Sequence, residues 1–216
     1  MNSLALGVLA AAVWALAVLG AAQARARSYG RRALFSRPVQ STRPGIIYAF
    51  GRGMAPGAKE SAREHLAIWF AGMLYHLGIF AGLFSLVLAL ARIEPWMPLL
   101  RALQAALGAG ALGGAALFGR RLGNRNLRGL SQPDDYLSNL LVTAFVALCL
   151  ARSVRPAIEP ILFAESILLL LWIPLGKIRH CVFFFTSRYQ QASHFGRRGV
   201  FPPAHAVAVG RARHRG

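Results

Sequence analysis

The chain has 216 residues, of which 56% are apolar and only 15% are charged, and its mean hydropathy is +0.45. This composition argues against an ordinary soluble domain and favours an integral membrane protein. The net charge of +18 would suggest nucleic acid binding in a soluble protein, but the distribution of the charge along this chain argues against that class.

Five apolar stretches are each long enough to cross the hydrocarbon core as a helix, which takes about 20 residues. They lack the alternation of a strand and are rich in Leu, Ala and Gly. We therefore predict an all-α integral membrane protein with a five-helix transmembrane bundle. The predicted spans cover residues 3–22, 66–90, 97–118, 136–152 and 158–176.

The first stretch resembles a secretory signal peptide, because Ala22-Gln23-Ala24 has the small residues of a cleavage site. However, no basic residue precedes the apolar run, and a dense basic segment begins at Arg25. Such a segment resists translocation, so we predict an uncleaved first span.

Positive charge is concentrated in alternate connections between the spans. Nine Lys/Arg residues lie in 23–65, four in 119–135 and eight in 177–216, whereas 91–101 and 152–159 carry two each. The positive-inside rule then predicts an N-terminus outside and a C-terminus in the cytoplasm. The basic loops suit the anionic inner leaflet, which makes membrane lipid, rather than nucleic acid, the expected partner.

This pattern divides the chain into four segments. Residues 1–22 form the first span and 23–65 form a basic, mostly irregular cytoplasmic loop. Residues 66–185 form a four-helix core, and 186–216 form a basic cytoplasmic tail that lies along a partner or is disordered.

Two aspartates, Asp134 and Asp135, stand at the N-terminal end of the fourth span. Acidic residues at that position cap free backbone amides and match the helix dipole. We therefore predict a capping role for both.

His76 lies near the middle of the second span, where an ionisable side chain is costly and is by default a functional candidate. Gly72, Gly78 and Gly82 lie close to it on the helix and leave room for another helix or a flat cofactor. Two interpretations stay open. His76 is a metal or cofactor ligand, or it is hydrogen-bonded across helices within a Gly78–Gly82 packing face.

His180 ends the fifth apolar stretch, among basic residues. Two neutral imidazoles from different helices are a standard arrangement for haem b, and haem propionates favour basic neighbours such as Lys177 and Arg179. An interfacial histidine without a ligand is the alternative for His180. His65, three turns before His76, is an alternative ligand near the interface.

Glu165 is an acidic residue within the fifth span. An intramembrane carboxylate is suited to accept protons, as a quinol oxidation site requires. The alternative is a pairing of Glu165 with Arg152, Arg155 or a neighbouring hydroxyl.

The order and spacing of three segments resemble a known family. These segments are Tyr75-His76-Leu77-Gly78-Ile79-Phe80, the third span with Arg120-Arg121 and then Pro133-Asp134-Asp135-Tyr136, and Pro174-Leu175-Gly176-Lys177-Ile178-Arg179-His180. Across spans two to five, the chain resembles the cytochrome b membrane subunit, or gamma subunit, of respiratory nitrate reductase. Related membrane subunits belong to heterodisulfide reductase and to sulfite-reduction complexes.

The resemblance implies one haem b. Members of that family with two haems have two histidines ten residues apart on the second helix and two histidines eighteen residues apart on the fifth. Here Leu86 and Leu162 stand at the positions of one ligand pair. His76 and His180 match the pair that ligates the haem nearer the cytoplasm, so the resemblance implies that they are the iron ligands.

The resemblance also implies a function. We expect a membrane subunit of a respiratory oxidoreductase complex in the inner (cytoplasmic) membrane of a bacterial or archaeal cell. Such a subunit passes electrons between the quinone pool, its substrate, and a cytoplasmic iron–sulfur partner subunit, and carries no catalytic residue of its own. A haem-free quinone-binding or anchoring and assembly subunit of such a complex is the alternative.

Overall fold

Helix is the only regular structure in the described part of the chain, residues 3–30, 37–58 and 60–203 of the computed structural model. This confirms the all-α prediction. The chain forms two compact units. Unit 1 comprises residues 1–22 and 67–179, and unit 2 comprises residues 23–66 and 180–216.

The long helices correspond to the apolar stretches, and short helices and 3-10 turns connect them. Helix α1 contributes its first part to unit 1 and its last turns to unit 2. The helices are α1 Ser3–Ser28, α2 Arg43–Phe50, α3 Glu60–Glu64, α4 Leu66–Ala91, α5 Met97–Gly123, α6 Arg125–Leu130, α7 Pro133–Val154, α8 Glu159–Trp172 and α9 His180–Arg197.

Among the described residues, four helices (α1, α4, α5 and α7) are long and apolar enough to cross a membrane. A fifth candidate arises only when Pro156–Trp172 and Lys177–Arg197 are taken together. The helical part of the predicted fifth span is shorter than expected because α8 ends at Trp172, two residues before Pro174. Ile173 keeps helical geometry and donates its N–H to the main-chain oxygen of Leu169, but Pro174 has no N–H with which to continue the helix, which accounts for this end. The orientation of the spans stays a prediction.

In unit 1, helices α4 and α5 approach closely through glycines. A Cβ atom added at Gly78 would lie 2.6 Å from the Cα atom of Gly110, and one added at Gly113 would lie 2.7 Å from the main-chain oxygen of Ala71. Gly82 faces α7, where an added Cβ atom would lie 2.9 Å from the ring of Phe145. The predicted packing role of Gly78 and Gly82 is therefore confirmed, because small residues let membrane helices pack backbone to backbone.

The core of unit 1 is formed by fully buried side chains of α5, α7 and α8, including Leu107, Val146 and Phe163. Helix α1 packs on this core with small residues. A Cβ atom added at Gly7 would lie 2.8 Å from the Cδ1 atom of Ile167.

A buried polar contact joins α4 to α7. The hydroxyl of Tyr75 donates a hydrogen bond to the main-chain oxygen of Asn139 and accepts one from Thr143, both at 3.1 Å. The Tyr75 hydroxyl is thereby satisfied within an otherwise apolar interface, as buried polar groups require.

In unit 2, α2 packs against α9, with Gly45 lying against Gly196. The guanidinium group of Arg188 donates to the main-chain oxygens of Ala49, at 2.7 Å, and Gly53, at 3.2 Å. A cation that binds the last carbonyls of a helix stabilises its C-terminus. The alternative of a disordered tail from residue 186 is wrong as far as Arg197, because these residues belong to α9, which packs against α2. The alternative of a tail that lies along a partner stays a prediction.

Candidate functional site

His76 lies in the middle of α4 on a face that the rest of unit 1 does not cover. Its side chain is exposed, whereas the adjacent Tyr75 and the nearby Gly78 are buried against α5 and α7. The Nδ1 atom of His76 lies 2.7 Å from the main-chain oxygen of Gly72, one helical turn earlier. The ring is thus fixed by its own helix.

This contact indicates which ring nitrogen carries the hydrogen in the neutral imidazole. A carbonyl oxygen only accepts, so Nδ1 carries the hydrogen and Nε2 keeps its lone pair in the neutral imidazole. Histidines that bind metals are usually oriented in this way, with the second nitrogen donating to a carbonyl or carboxylate. A Cβ atom added at Gly72 would meet nothing within 4 Å, so the helix surface at Gly72 is open. A role of His76 as a cofactor ligand through Nε2 stays a prediction.

His180 is the first residue of α9 and belongs to unit 2, whereas His76 belongs to unit 1. The binding of both imidazoles to one iron therefore stays a prediction. Within the described ranges, no group of three or more His, Cys, Asp or Glu side chains is placed to hold a metal ion. The alternative ligand His65 lies at the turn between α3 and α4 with its side chain exposed.

The two basic residues predicted to bind propionates lie in a short 3-10 turn at the end of unit 1. The ammonium group of Lys177 forms an ion pair with Asp135, with an Nζ to Oδ2 distance of 2.7 Å. About half of the lysine side chain is exposed, at 47%. The side chain of Arg179 is exposed. Their role at a cofactor stays a prediction.

The capping prediction is confirmed for Asp135. Its carboxylate accepts a hydrogen bond from the backbone N–H of Gln132 at 2.9 Å, and the two residues form a capping box at the start of α7. Asp135 also lies 3.7 Å from the guanidinium group of Arg121.

Asp134 has a different role, which sequence reasoning missed. Its Oδ2 atom accepts a hydrogen bond at 2.9 Å from the backbone N–H of Lys177, 43 residues away. Its Oδ1 atom accepts one at 2.7 Å from Ser138, which in turn accepts one at 3.1 Å from the indole N–H of Trp172. This carboxylate therefore joins the start of α7 to the turn that follows α8. We call these four residues the Asp134 clasp.

Gly176 completes the clasp because it has no side chain. A Cβ atom there would lie 2.5 Å from the indole nitrogen of Trp172 and 2.9 Å from Oδ1 of Asp134. Both distances are too short for real contacts, so any other residue would displace the hydrogen-bonded groups.

The opposite end of the unit 1 helices is joined by Glu159, the first residue of α8. Its Oε1 atom lies 2.8 Å from Nη1 of Arg92, and its Oε2 atom lies 3.0 Å from Nη2 of Arg152. Glu159 and Arg152 are mostly buried, whereas the side chain of Arg92 is 56% exposed. We call these three residues the Glu159 cluster.

Glu165 has no partner among the described residues. Both carboxylate oxygens are buried and lack a hydrogen bond. The predicted pairing with Arg152 is not found, because that guanidinium group is bound to Glu159. A buried carboxyl group without a hydrogen-bond partner inside a predicted span is costly, which makes Glu165 a candidate for a functional role.

Comparison of the chain with models of protein families, with curated proteins and with solved structures finds no match. The resemblance to the nitrate reductase gamma subunit therefore depends on the three sequence segments alone.

Proposed function

We propose that this protein is the membrane subunit of a respiratory oxidoreductase complex. It passes electrons between the quinone pool and a cytoplasmic iron–sulfur partner through one haem b. The observation that carries this proposal is the exposed side chain of His76 within a candidate span, with its Nδ1 atom 2.7 Å from the main-chain oxygen of Gly72.

An imidazole within a candidate span carries an energetic cost. A polar group on an exposed face of a membrane helix is expensive unless it binds something. The Gly72 carbonyl satisfies only one of the two ring nitrogens. A ligand at Nε2 satisfies the other, which a haem iron does in bis-histidine cytochromes.

The count of one haem is supported by Leu86 and Leu162. These side chains stand where the related proteins with two haems have histidines, and they are 5% and 0% exposed in the core of unit 1. Close packing at both positions leaves no room there for a second cofactor.

Haem b, when bound, supplies one-electron transfer at a potential that its axial ligands and surroundings determine. His76 and His180 would hold the iron, and Lys177 and Arg179 would compensate the propionate charges. The chain's part in this chemistry is to orient the ring of His76 through the main-chain oxygen of Gly72.

Quinol oxidation also releases two protons for each two electrons, and these need an acceptor within the membrane region. Glu165 suits this role in our proposal, because its carboxyl group is buried and not engaged by another side chain. Glu165→Gln would slow quinol oxidation and leave the haem content unchanged.

The partner and the compartment follow from the charge distribution. The ranges 23–66 and 180–216 contain fifteen Lys/Arg residues and only two acidic ones, Glu60 and Glu64. A basic surface of this kind would dock an acidic cytoplasmic iron–sulfur subunit at the inner membrane of a bacterial or archaeal cell.

The test is a reduced-minus-oxidised visible spectrum with a pyridine haemochrome count on the purified protein. We expect about one haem b per chain in the wild type and its loss in His76→Ala and in His180→Ala, since each removes an axial ligand. His65→Ala is the matched control and should keep the haem, because it removes a histidine near the same helix.

An absence of haem in fully assembled wild-type protein would contradict the cytochrome function. The haem-free alternative would then separate into two cases. A loss of quinol oxidation in Glu165→Gln would indicate a quinone-binding subunit, whereas unchanged turnover would indicate an anchoring subunit.

A further inference from the structure

The last turn of α1 and the exposed side of α9 enclose an open groove of about 620 Å³ within unit 2. Its walls combine aromatic, cationic and small polar groups. The groove is lined by, among others, Arg27, Gly30, Phe185, Tyr189 and Gln190.

The groove has a fixed shape because its two walls are bonded to each other. The side-chain amide of Gln23 on α1 donates to the hydroxyl of Thr186 at 2.9 Å and to the main-chain oxygen of Val182 at 3.3 Å. On the other side, the ring of Phe185 stacks on Phe50 of α2, with centroids 6.5 Å apart and planes 4° from parallel. The groove is therefore preformed, which lowers the entropic cost of binding a ligand.

The aromatic wall faces outward. The side chains of Phe185 and Tyr189 are 61% and 45% exposed, although each presents a large apolar surface. Aromatic side chains that follow a membrane span are typical of the boundary between hydrocarbon and water. Arg27 lies five residues after Ala22, the last residue of the predicted first span, and so belongs to the same boundary.

The cation in the groove lacks an acidic partner. Among the described residues, Arg27 forms no ion pair and no side-chain hydrogen bond. No Asp or Glu precedes Glu60 in the sequence, and none follows Glu165. The ranges 23–66 and 180–216 therefore offer only Glu60 and Glu64 as acidic partners, and we expect Arg27 to pair with an anion from another molecule.

We propose that this groove binds one anionic phospholipid of the cytoplasmic leaflet. The lipid phosphate pairs with Arg27, and the glycerol and upper acyl chain lie along Phe185 and Tyr189. A guanidinium group binds phosphate with charge-assisted hydrogen bonds. A small free anion would not contact the aromatic wall of the groove. An acidic soluble protein would not require a binding site next to a membrane span. This site is independent of whether the protein binds haem.

The test uses the full chain, purified in detergent, delipidated and examined by native mass spectrometry. It is titrated with dioctanoyl phosphatidylglycerol and, separately, with dioctanoyl phosphatidylcholine. We expect one phosphatidylglycerol per chain to bind at about tenfold lower concentration than phosphatidylcholine, because the latter carries a compensating choline charge.

Two variants locate the site. Arg27→Gln should weaken phosphatidylglycerol binding about tenfold and bring it close to phosphatidylcholine binding. Tyr189→Ala should weaken both lipids, since it removes the apolar wall that they share. Arg198→Gln is the matched control, because it removes the same charge from an exposed position in unit 2 outside the groove. It should change binding less than about twofold.

Equal effects of Arg27→Gln and Arg198→Gln would overturn the proposal, because binding would then reflect net charge alone. Displacement of the lipid by millimolar inorganic phosphate would also overturn it and indicate a small-anion site. Displacement by a polyglutamate peptide would indicate an acidic protein as the occupant instead. Circular dichroism on each variant separates loss of binding from loss of fold.

Discussion

The two ends of the unit 1 helices are each joined by an acidic residue at the start of a helix, but by different means. In the Asp134 clasp, a carboxylate accepts hydrogen bonds from a backbone N–H and a hydroxyl. In the Glu159 cluster, a carboxylate lies between two guanidinium groups. The first arrangement depends on backbone position, and the second depends on opposite charges.

This difference determines how the stability of each end depends on the salt concentration. Short hydrogen bonds to a backbone amide are little affected by salt, whereas ion pairs with an exposed partner are screened. The clasp also requires a glycine at position 176, while the cluster has no such steric requirement. Four substitutions test this comparison.

Glu159→Gln should have the largest effect, because it leaves the mostly buried guanidinium group of Arg152 without its charge partner. We expect a loss of about 3 kcal/mol in the free energy of unfolding. The measurement is reversible unfolding in mixed micelles at low salt. Glu94→Gln is the control, since Glu94 is exposed in the connection between α4 and α5. Similar losses in the two variants would contradict a special role for Glu159.

Gly176→Ala should reduce the free energy of unfolding by about 2 kcal/mol, because the new methyl group would displace Trp172 and Asp134. The same unfolding assay measures it, with the fluorescence of Trp172 as a local signal. Gly119→Ala is the control, because a Cβ atom there meets nothing within 4 Å. A tolerated alanine at 176 would show that the turn adapts and that the clasp is not sterically determined.

Asp134→Asn should cost about 1 kcal/mol, since the amide keeps the size but offers only one acceptor for two donors, the N–H of Lys177 and the hydroxyl of Ser138. We expect the loss to be the same at low and at high salt. A loss that disappears at high salt would mean that Asp134 acts mainly by charge, and it would remove the distinction between the two ends.

Arg92→Gln should have the smallest effect, about 0.5 kcal/mol at low salt, because the Arg92 side chain is 56% exposed. Unfolding at increasing salt should reduce this loss further. A loss comparable to that of Glu159→Gln would show that Arg92, rather than Arg152, is the main partner of Glu159.

Much of the fold can be predicted from the sequence, because the length of an apolar stretch predicts a spanning helix and glycines on a helix predict close helix packing. The helices α4, α5 and α7 and the packing role of Gly78 follow from these two features alone. The end of α8 shows the limit. Pro174 lies within an apolar run that looks long enough to span, and only the structure gives the helix end at Trp172.

The candidate site can be predicted only in part from the sequence. The position of His76 within a span is a local property, and the bond to the Gly72 carbonyl has a local signal, a glycine one turn earlier. The role of Asp134 has no local signal, because its partner is a backbone amide that becomes available only where the turn at Gly176 breaks the helix. The helical tail was missed because glycine disfavours helix in isolation, whereas Gly196 is stabilised by its contact with Gly45.

The contact between Gly7 and Ile167 has a consequence for biosynthesis. Helix α1 leaves the ribosome well before α8, the helix against which it packs. At about 5–20 residues per second, the interval is on the order of ten seconds. During this interval Gly7 faces lipid or the insertion machinery instead of Ile167. The contact between α1 and α8 in unit 1 therefore forms only after the helices that lie between them in the sequence have been synthesised.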